Sequence, residues 1–260
     1  MIKELTTLPV LLFLMKASFA QVSDVKDWSS LTLEKNETLA YAYDSLLLES
    51  LVMKEGSEIR FLNDVYVQVE NAFLGKNTKF NLNGENGVNG KRGRGLTLHG
   101  TSGEAGKRGR DITFVVKFEQ LESFTIETNG GNGGDGGDGK TPGRNPAFGM
   151  KGDNGGDGGR AGFGANAGNI KLYYDSPNFL PLFNGEGEHS IYLISKGGQC
   201  GKAGRPGNGG RGGEEQVTID PNTGRVLSRI PEGPKGEPGN TDRYCQSGRD
   251  GEIVIKKNSS

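Results

Sequence analysis

Histidine and cysteine are scarce in this chain, which has two of each among its 260 residues. His99 and His189 stand apart from any spacing typical of a catalytic triad or a zinc site. Cys200 and Cys245 do not form the CxxC spacing of zinc and redox sites. Matches to GxGxxG are by-products of glycine periodicity, without the strand, helix and acidic residue of a dinucleotide site. We therefore predict a non-enzyme with no catalytic residue, no metal and no cofactor.

Long apolar stretches are also missing beyond the first twenty residues. The apolar core at residues 8–15 follows Lys3 and precedes the small-x-small pattern at residues 18–20. It is too short for a transmembrane span of about 20 residues and is typical of a cleaved secretory signal. We predict that residues 1–20 are a signal peptide, with a buried N-terminal helix as the alternative. The mature protein is then secreted, to the periplasm, the cell surface or the extracellular space.

Neither sign of charge is in large excess. Removing Lys3, Glu4 and Lys16 with the signal leaves 29 basic and 31 acidic residues, a net charge of −2. This balance names no polyanionic partner, and few aromatic residues interleave with the basic ones. We therefore predict no nucleic-acid partner and no transmembrane segment.

Glycine is abundant, with 45 residues, and it is periodic. It recurs at every third position in residues 84–93, 103–109, 130–139, 149–158, 198–213 and 233–239. A period of three matches the polyproline II type of helix, whose peptide groups point outward and must bond to neighbouring chains. Collagen needs longer triplet runs with more proline, so we predict a bundle of short polyglycine II helices. Segments with two glycine columns (130–139, 155–159 and 208–213) suit interior helices, and 84–93 and 103–109 suit outer ones.

Short β-branched or alternating stretches separate the glycine runs and predict strands. They are residues 58–61, 65–69, 78–82, 111–118, 123–127, 169–174, 190–194, 216–219 and 252–256. Residues 38–53 read as strands or as one helix, and we favour strands. The predicted fold is all-β, with a small β-sheet or β-solenoid-like part abutting the polyglycine II bundle. Its regions are an N-terminal β-rich part at 21–82 and a glycine-rich part at 83–260.

The GxxGxx and GGxGGx runs at residues 84–251 resemble those of two groups of proteins. These are the glycine-rich tail-fibre tip adhesins of T-even-type phages and, more loosely, secreted bacterial collagen-like proteins. For the adhesins, the resemblance implies binding of a host receptor by loops between the glycine helices.

Two surfaces are candidates for binding. The aromatic-rich interval at residues 173–192 is either a recognition loop or local core, with Tyr174, Phe179, Phe183 and Tyr192 as its candidate residues. The two GKRGR phrases either bind an anion or pair with aspartates at 135–138 and 153–157, and we favour the pairing. Their basic residues are Lys91, Arg92, Arg94, Lys107, Arg108 and Arg110.

The sequence thus predicts a secreted structural or adhesin-like protein of a bacterial envelope that displays loops on a rigid scaffold. Its expected partner is a cell-surface glycan or protein. The alternative is a carbohydrate-active or lytic enzyme on a β-solenoid, which requires two opposed carboxylates in a cleft. The sequence does not identify the ligand, the organism or the oligomeric state.

The even cysteine count in an oxidising compartment predicts one disulfide between Cys200 and Cys245, with two free thiols as the alternative. Closing this loop stabilises the fold by about 4 kcal/mol in the chain-entropy account. Intact mass after alkylation should show no modified thiol in the exported protein. Two alkylated cysteines would contradict the prediction.

Overall fold

A computed structural model describes residues 28–95 and 97–258 of the chain. Within these residues the chain forms fourteen β-strands and no helix, which confirms the predicted all-β class. No described segment is a helix long and apolar enough to cross a membrane. The signal peptide predicted for residues 1–20 lies outside the described residues.

Twelve strands form two six-stranded sheets. In spatial order, the first sheet contains β1 (Trp28–Leu33), β3 (Ser45–Met53), β5 (Val65–Leu74), β7 (Ile112–Leu121), β9 (Ile170–Asp175) and β14 (Ile253–Lys257). The second contains β10 (Leu182–Phe183), β11 (Ser190–Ile194), β8 (Ser123–Glu127), β6 (Thr78–Asn81), β4 (Glu58–Phe61) and β2 (Thr38–Tyr41). The last two strands, β12 (Gln216–Ile219) and β13 (Val226–Ile230), form a separate antiparallel hairpin.

The two large sheets are the walls of a β-solenoid. Every pair of neighbouring strands in them is parallel, and the strands alternate between the two sheets along the chain except at β10 and β11, which both lie in the second, so the chain winds in coils. Each strand predicted from the sequence is present, and residues 38–53 contribute β2 and β3 in place of a helix. Strands from 28–82 and from 111–257 share the same two sheets.

Alternating residues of each wall point into a shared hydrophobic core. In β5 the inward residues Val65, Val67 and Val69 are buried and those between them are exposed. Phe80 packs between Phe61 and Phe124, with ring centroids 5.2 and 4.8 Å away. Because each coil continues the apolar row of the coil before it, the core runs along the whole solenoid.

The first coils are short because a tight turn joins the two walls. Trp28 pairs with Leu48, and Ser45 pairs with Tyr66, so each of these coils uses a similar short length of chain. The turn places Asn36, Gly56 and Asn77 in the left-handed region, with φ of 59°, 71° and 57°. Asparagine and glycine tolerate this conformation best, which explains their recurrence at the same spacing as the coils.

The later coils contain more residues because each includes a hairpin made of two glycine runs. Val65 pairs with Ile112, Ile112 with Ile170, and Ile170 with Ile253, so the length of chain between paired residues increases at each coil. In each hairpin an outgoing run leaves the second sheet and a return run leads back to the first. The outgoing layer consists of residues 84–93, 130–139 and 197–213, and the return layer consists of residues 100–109, 152–168 and 233–251.

Backbone hydrogen bonds join the runs at every third residue. In the outgoing layer, Gly84, Gly87 and Gly90 donate to the carbonyls of Asn129, Asn132 and Asp135 at 2.6 to 2.8 Å. Between layers, the amides of Gly131, Gly134 and Gly137 donate to Lys107, Glu104 and Thr101 at 2.8 to 2.9 Å. The backbone amides and carbonyls of the runs thus find partners without any strand pairing.

The positions of the runs follow their glycine content. Runs 130–139 and 152–168 each bond to four neighbouring runs, whereas 84–93 bonds to two. Segment 208–213, predicted to be interior, belongs to run 197–213, which bonds to three, and run 100–109, which contains the segment predicted to be outer, also bonds to three. The runs lie outside the helices and strands of the structure, so their polyglycine II conformation stays a prediction.

Asparagine and aspartate complete the bonding on the outer faces. The Oδ1 atoms of Asn83, Asn86 and Asn89 accept the backbone N–H of the residue 46 positions later, at 2.8 Å. Asn129, Asn132, Asp135 and Asp138 do the same for residues 67 positions later, at 2.7 to 2.9 Å. These side chains act as acceptors where no neighbouring backbone carbonyl is available.

The expected pairing of the aspartate stripe with the GKRGR phrases is wrong. Asp135 and Asp138 accept the backbone N–H of Lys202 and Arg205, and neither carboxylate has an ion pair among the described residues. Asp157 contacts His99 at 3.1 Å. Every third residue on these faces must accept a backbone N–H of the neighbouring run, and the side chains of aspartate and asparagine do this equally well. This need explains the aspartate stripe.

Glycine at the contacts between runs is required by space. A Cβ atom at Gly134 would lie 2.2 Å from the carbonyl oxygen of Val88, but one at Gly143 would have no neighbour within 4 Å. We expect Gly134→Ala to lower the free energy of unfolding by several kcal/mol, since each bond broken by the displaced run costs about 1–3 kcal/mol. Gly143→Ala should stay within about 0.5 kcal/mol of the parent.

Thermal unfolding of both variants measures this difference. Replacements of Lys91 or Arg92 by alanine, which remove only exposed side chains, serve as further controls. Equal thermal midpoints for Gly134→Ala and Gly143→Ala would mean that the runs are a loose linker.

Candidate functional site

The basic side chains of the second GKRGR phrase bind other residues of the protein at the base of the first hairpin. Lys107 binds Glu85 at 2.7 Å, and Arg108 binds Asp111 and Asp64. The hydrogen bond with Asp111 is the main cause of the raised pKa of Arg108, and the bond from Lys107 likewise lowers the pKa of Glu85. The Lys107 pair joins the two runs of the first hairpin to each other, and the Arg108 pairs fasten them to the solenoid.

Arg110 also fastens the base of the first hairpin, through hydrogen bonds to backbone carbonyls. Its guanidinium donates to Leu62 and Asn83, both at 2.6 Å. The side chains of Lys107, Arg108 and Arg110 therefore bind other groups of the same chain. By contrast, the side chains of Lys91, Arg92 and Arg94 make no ion pair with any described residue.

The aromatic interval 173–192 contributes to the core at the end of the solenoid. Tyr174, Phe179 and Phe183 pack against the buried cluster, and the Tyr174 and Phe183 rings are 5.4 Å apart. Phe179 stacks on His189 at 4.3 Å, and Nδ1 of His189 lies 2.6 Å from the carbonyl oxygen of Leu121. Tyr192 is half-buried in β11. These contacts favour the local-core interpretation.

A metal site has no ligand cluster to support it in the described part of the chain. No three His, Cys, Asp or Glu side chains converge there in a way that could hold a metal ion. The predicted disulfide between Cys200 and Cys245 is present and joins the last outgoing run to the last return run. The surface features that remain are at the far end of the hairpins.

The far end of the second and third hairpins carries a concentrated set of exposed apolar side chains. We call the loop 140–151 together with the segment 214–232 the tip. All nine residues of β12 and β13 are exposed, with Val226 at 60% and Leu227 at 65%. The exposed apolar residues of the tip are Phe148, Met150, Val217, Ile219, Val226, Leu227 and Ile230. A concentration of exposed apolar side chains of this kind is typical of an interaction site.

Polar contacts hold the two parts of the tip together. Arg144 binds Glu214 and also Glu232, on either side of the β12–β13 hairpin. The amide of Gly149 donates to the carbonyl of Glu214 at 3.1 Å. The position of Gly149 faces Ile230, because a Cβ added there would lie 2.4 Å from that side chain. The apolar residues thus sit on one composite structure.

The end of the hairpin is a rigid polar turn. Thr223 and the amide of Asn222 donate to the carboxylate of Asp220, and these bonds lower the pKa of Asp220, the Thr223 bond most. Gly224 has φ of 67°. Arg229 binds Glu215 across the strands, and this bond raises the pKa of Arg229.

Sequence reasoning predicted β12 but missed β13 and therefore missed the tip. The signal was available, because residues 220–224 are rich in turn formers and lie between two β-branched stretches, a pattern typical of a hairpin. The exposure of β12 and β13 could not be predicted, because an alternating sequence pattern does not show whether another part of the protein covers the strands. Comparison of the sequence with protein-family models and with curated proteins, and of the fold with solved structures, finds no match.

Arg144→Ala should loosen the tip without unfolding the protein. Both of its carboxylate partners are solvent-exposed, so the pairs contribute no more than about 1 kcal/mol. We expect faster amide hydrogen exchange in residues 214–232 and an unchanged thermal midpoint. Arg225→Ala, which removes a hairpin cation that has no ion pair among the described residues, is the control. Identical exchange in both variants would contradict the fastening role of Arg144.

Proposed function

We propose that this protein is a secreted, non-enzymatic binding protein that presents the tip on a rigid arm of glycine runs. The observation that supports this most is the exposure of every residue of β12 and β13 at the far end of a densely hydrogen-bonded scaffold. An isolated two-stranded hairpin is only marginally stable in water. A hairpin of this kind, kept exposed and fastened at its base, is suited to contact a partner.

The arm, in this proposal, is a two-layer bundle of polyglycine II helices. The supporting observation is the bond that the glycine at every third residue donates to a neighbouring run, repeated within and between the layers. Three residues per turn bring each glycine column to the same side of its run. Such an arm holds its loops in place at little entropic cost, which favours binding.

Secretion is supported by the predicted signal at residues 1–20 and by the disulfide. Disulfides persist in oxidising compartments and are rare in the cytosol. Both features fit a protein that acts in a bacterial envelope or outside the cell, and the resemblance to the phage tip adhesins suggests the same use of loops between glycine runs.

The expected partner is a protein or glycan of a cell surface, and the tip favours a protein. Its apolar residues lie along both strands of the hairpin, whereas the extreme end, residues 220–225, is polar and carries Asp220 and Arg225. End-on insertion into a lipid bilayer would bury these charges first. A partner that lies alongside the hairpin covers the apolar side chains and leaves the turn in water.

The second candidate is the predicted carbohydrate-active or lytic enzyme. Its β-solenoid scaffold is present, but several solenoid carboxylates are paired with lysines, as in Glu34 with Lys54 and Glu55 with Lys35. The tip favours the binding protein.

The test is a binding screen of the mature protein, residues 21–260, on whole bacterial and eukaryotic cells and on a glycan array. The double variant Ile219→Ser, Leu227→Ser should lose binding by at least about tenfold, because truncating central apolar contacts costs more than about 1 kcal/mol each. Leu180→Ser is the control, since Leu180 is 82% exposed on the solenoid and distant in the chain from the tip. Equal binding by the parent and the double variant would overturn the proposal.

A further inference from the structure

The last return run is interrupted at one place. Gly239 donates to the carbonyl of Gly207 at 2.9 Å, and Gly248 donates to that of Gly198 at 2.8 Å, so the register on both sides is the same. Residues 240–247 contain no glycine. Within this described stretch, the Thr241 hydroxyl donates to the Gly204 carbonyl at 2.9 Å, the Ser247 hydroxyl accepts the Cys200 amide at 3.3 Å, and Cys245 forms the disulfide with Cys200.

The outgoing run opposite carries side chains where glycine is otherwise needed. A Cβ atom at Gly197, Gly209 or Gly212 would lie 1.9 to 2.2 Å from a carbonyl oxygen of the return run. The same column continues with Cys200, Ala203 and Pro206. Side chains fit there because the return run stands away, and an open groove of about 440 Å³ lies between the two runs.

Three cations line this groove above an apolar floor. Lys202, Arg205 and Arg243 are exposed, and none of them makes an ion pair with a described residue. Ala203, Pro206 and the disulfide provide the apolar part of the lining, which we call the apolar floor. The volume is within the range of about 300–1,000 Å³ that is usual for small-molecule sites.

The neighbouring carboxylates already form an ion pair or accept a backbone hydrogen bond. Asp242 binds Arg160 at 3.2 Å. Asp135 and Asp138, on the adjacent run, accept the backbone N–H of Lys202 and Arg205 at 2.7 and 2.8 Å. They fix the backbone of the two cationic residues and leave the ammonium and guanidinium groups available to an external anion.

We propose that this groove binds a sugar residue that carries a phosphate or sulfate group. The three cations would bind the phosphate or sulfate group, because guanidinium and ammonium groups bind oxyanions by charge-assisted hydrogen bonds. The apolar floor fits the C–H face of a sugar ring. Nucleic acid is less suited, because no aromatic side chain of the described residues lines the groove to stack on a base. The site is independent of the tip and of the function proposed for it.

Titration calorimetry of the mature protein tests this site with glucose 6-phosphate, glucose 6-sulfate and glucose. We expect both anionic sugars to bind at least tenfold more tightly than glucose, and the better of the two identifies the natural group. Arg205→Ala and Arg243→Ala should each weaken that binding by about tenfold, the scale of one charge-assisted bond. Arg211→Ala removes the same charge from the same run outside the groove and should bind like the parent.

Reduction of the disulfide provides a second measurement, because it releases the segment that carries Arg243 and should weaken binding as Arg243→Ala does. Thermal midpoints of all variants verify that they are folded. Equal affinity for glucose and its anionic derivatives, or equal losses in Arg205→Ala and Arg211→Ala, would overturn the proposal. Tighter binding of a short DNA duplex, with the same dependence on Arg205 and Arg243, would replace it with a nucleic-acid site.

Discussion

The close approach of backbones between glycine runs is the constraint on which the rest of the structure depends. Each third residue donates a hydrogen bond to a neighbouring carbonyl, and a Cβ at most of these glycines would come within about 2 Å of a carbonyl oxygen. Side chains contribute to contacts between runs mainly on the outer faces, where the Oδ1 atoms of asparagine and aspartate accept backbone N–H groups of the neighbouring run. The runs are stabilised by satisfied backbone groups, since an unpaired buried amide or carbonyl is costly.

The solenoid determines how the runs align. The pair Asn81 and Glu127 in the second sheet is separated by 46 residues, and the same separation recurs from Asn83 and Asn129 out to Asn89 and Asp135. Registers of 67 and 83 residues are likewise continued from strand pairs into the later runs. Because the hydrophobic core fixes each strand pair, the glycine runs begin in register and need only continue it.

The stepwise growth of the coils explains why binding features lie far from the core. Each hairpin is longer than the one before, as the pairing of Val65 with Ile112, of Ile112 with Ile170 and of Ile170 with Ile253 requires, so the third carries β12 and β13 beyond its neighbours. Long loops are normally mobile. Here the bonding between runs gives the arm the support that a hydrophobic core gives the solenoid, and the exposed apolar surface of the tip is held on it.

The sequence by itself determined most of the strands, the glycine period and the cysteine pair, because these depend on local residue patterns and on the number of cysteines. It also pointed to the inner position of residues 130–139, since two glycine columns allow neighbours on more sides. Only the tertiary structure decided that the Asp135 and Asp138 carboxylates bind backbone amides, that Arg108 binds Asp64 and Asp111, and that β12 and β13 are exposed. These facts depend on which runs and strands become neighbours, and the register of the solenoid sets that over separations of 46 to 83 residues, beyond the reach of any local pattern.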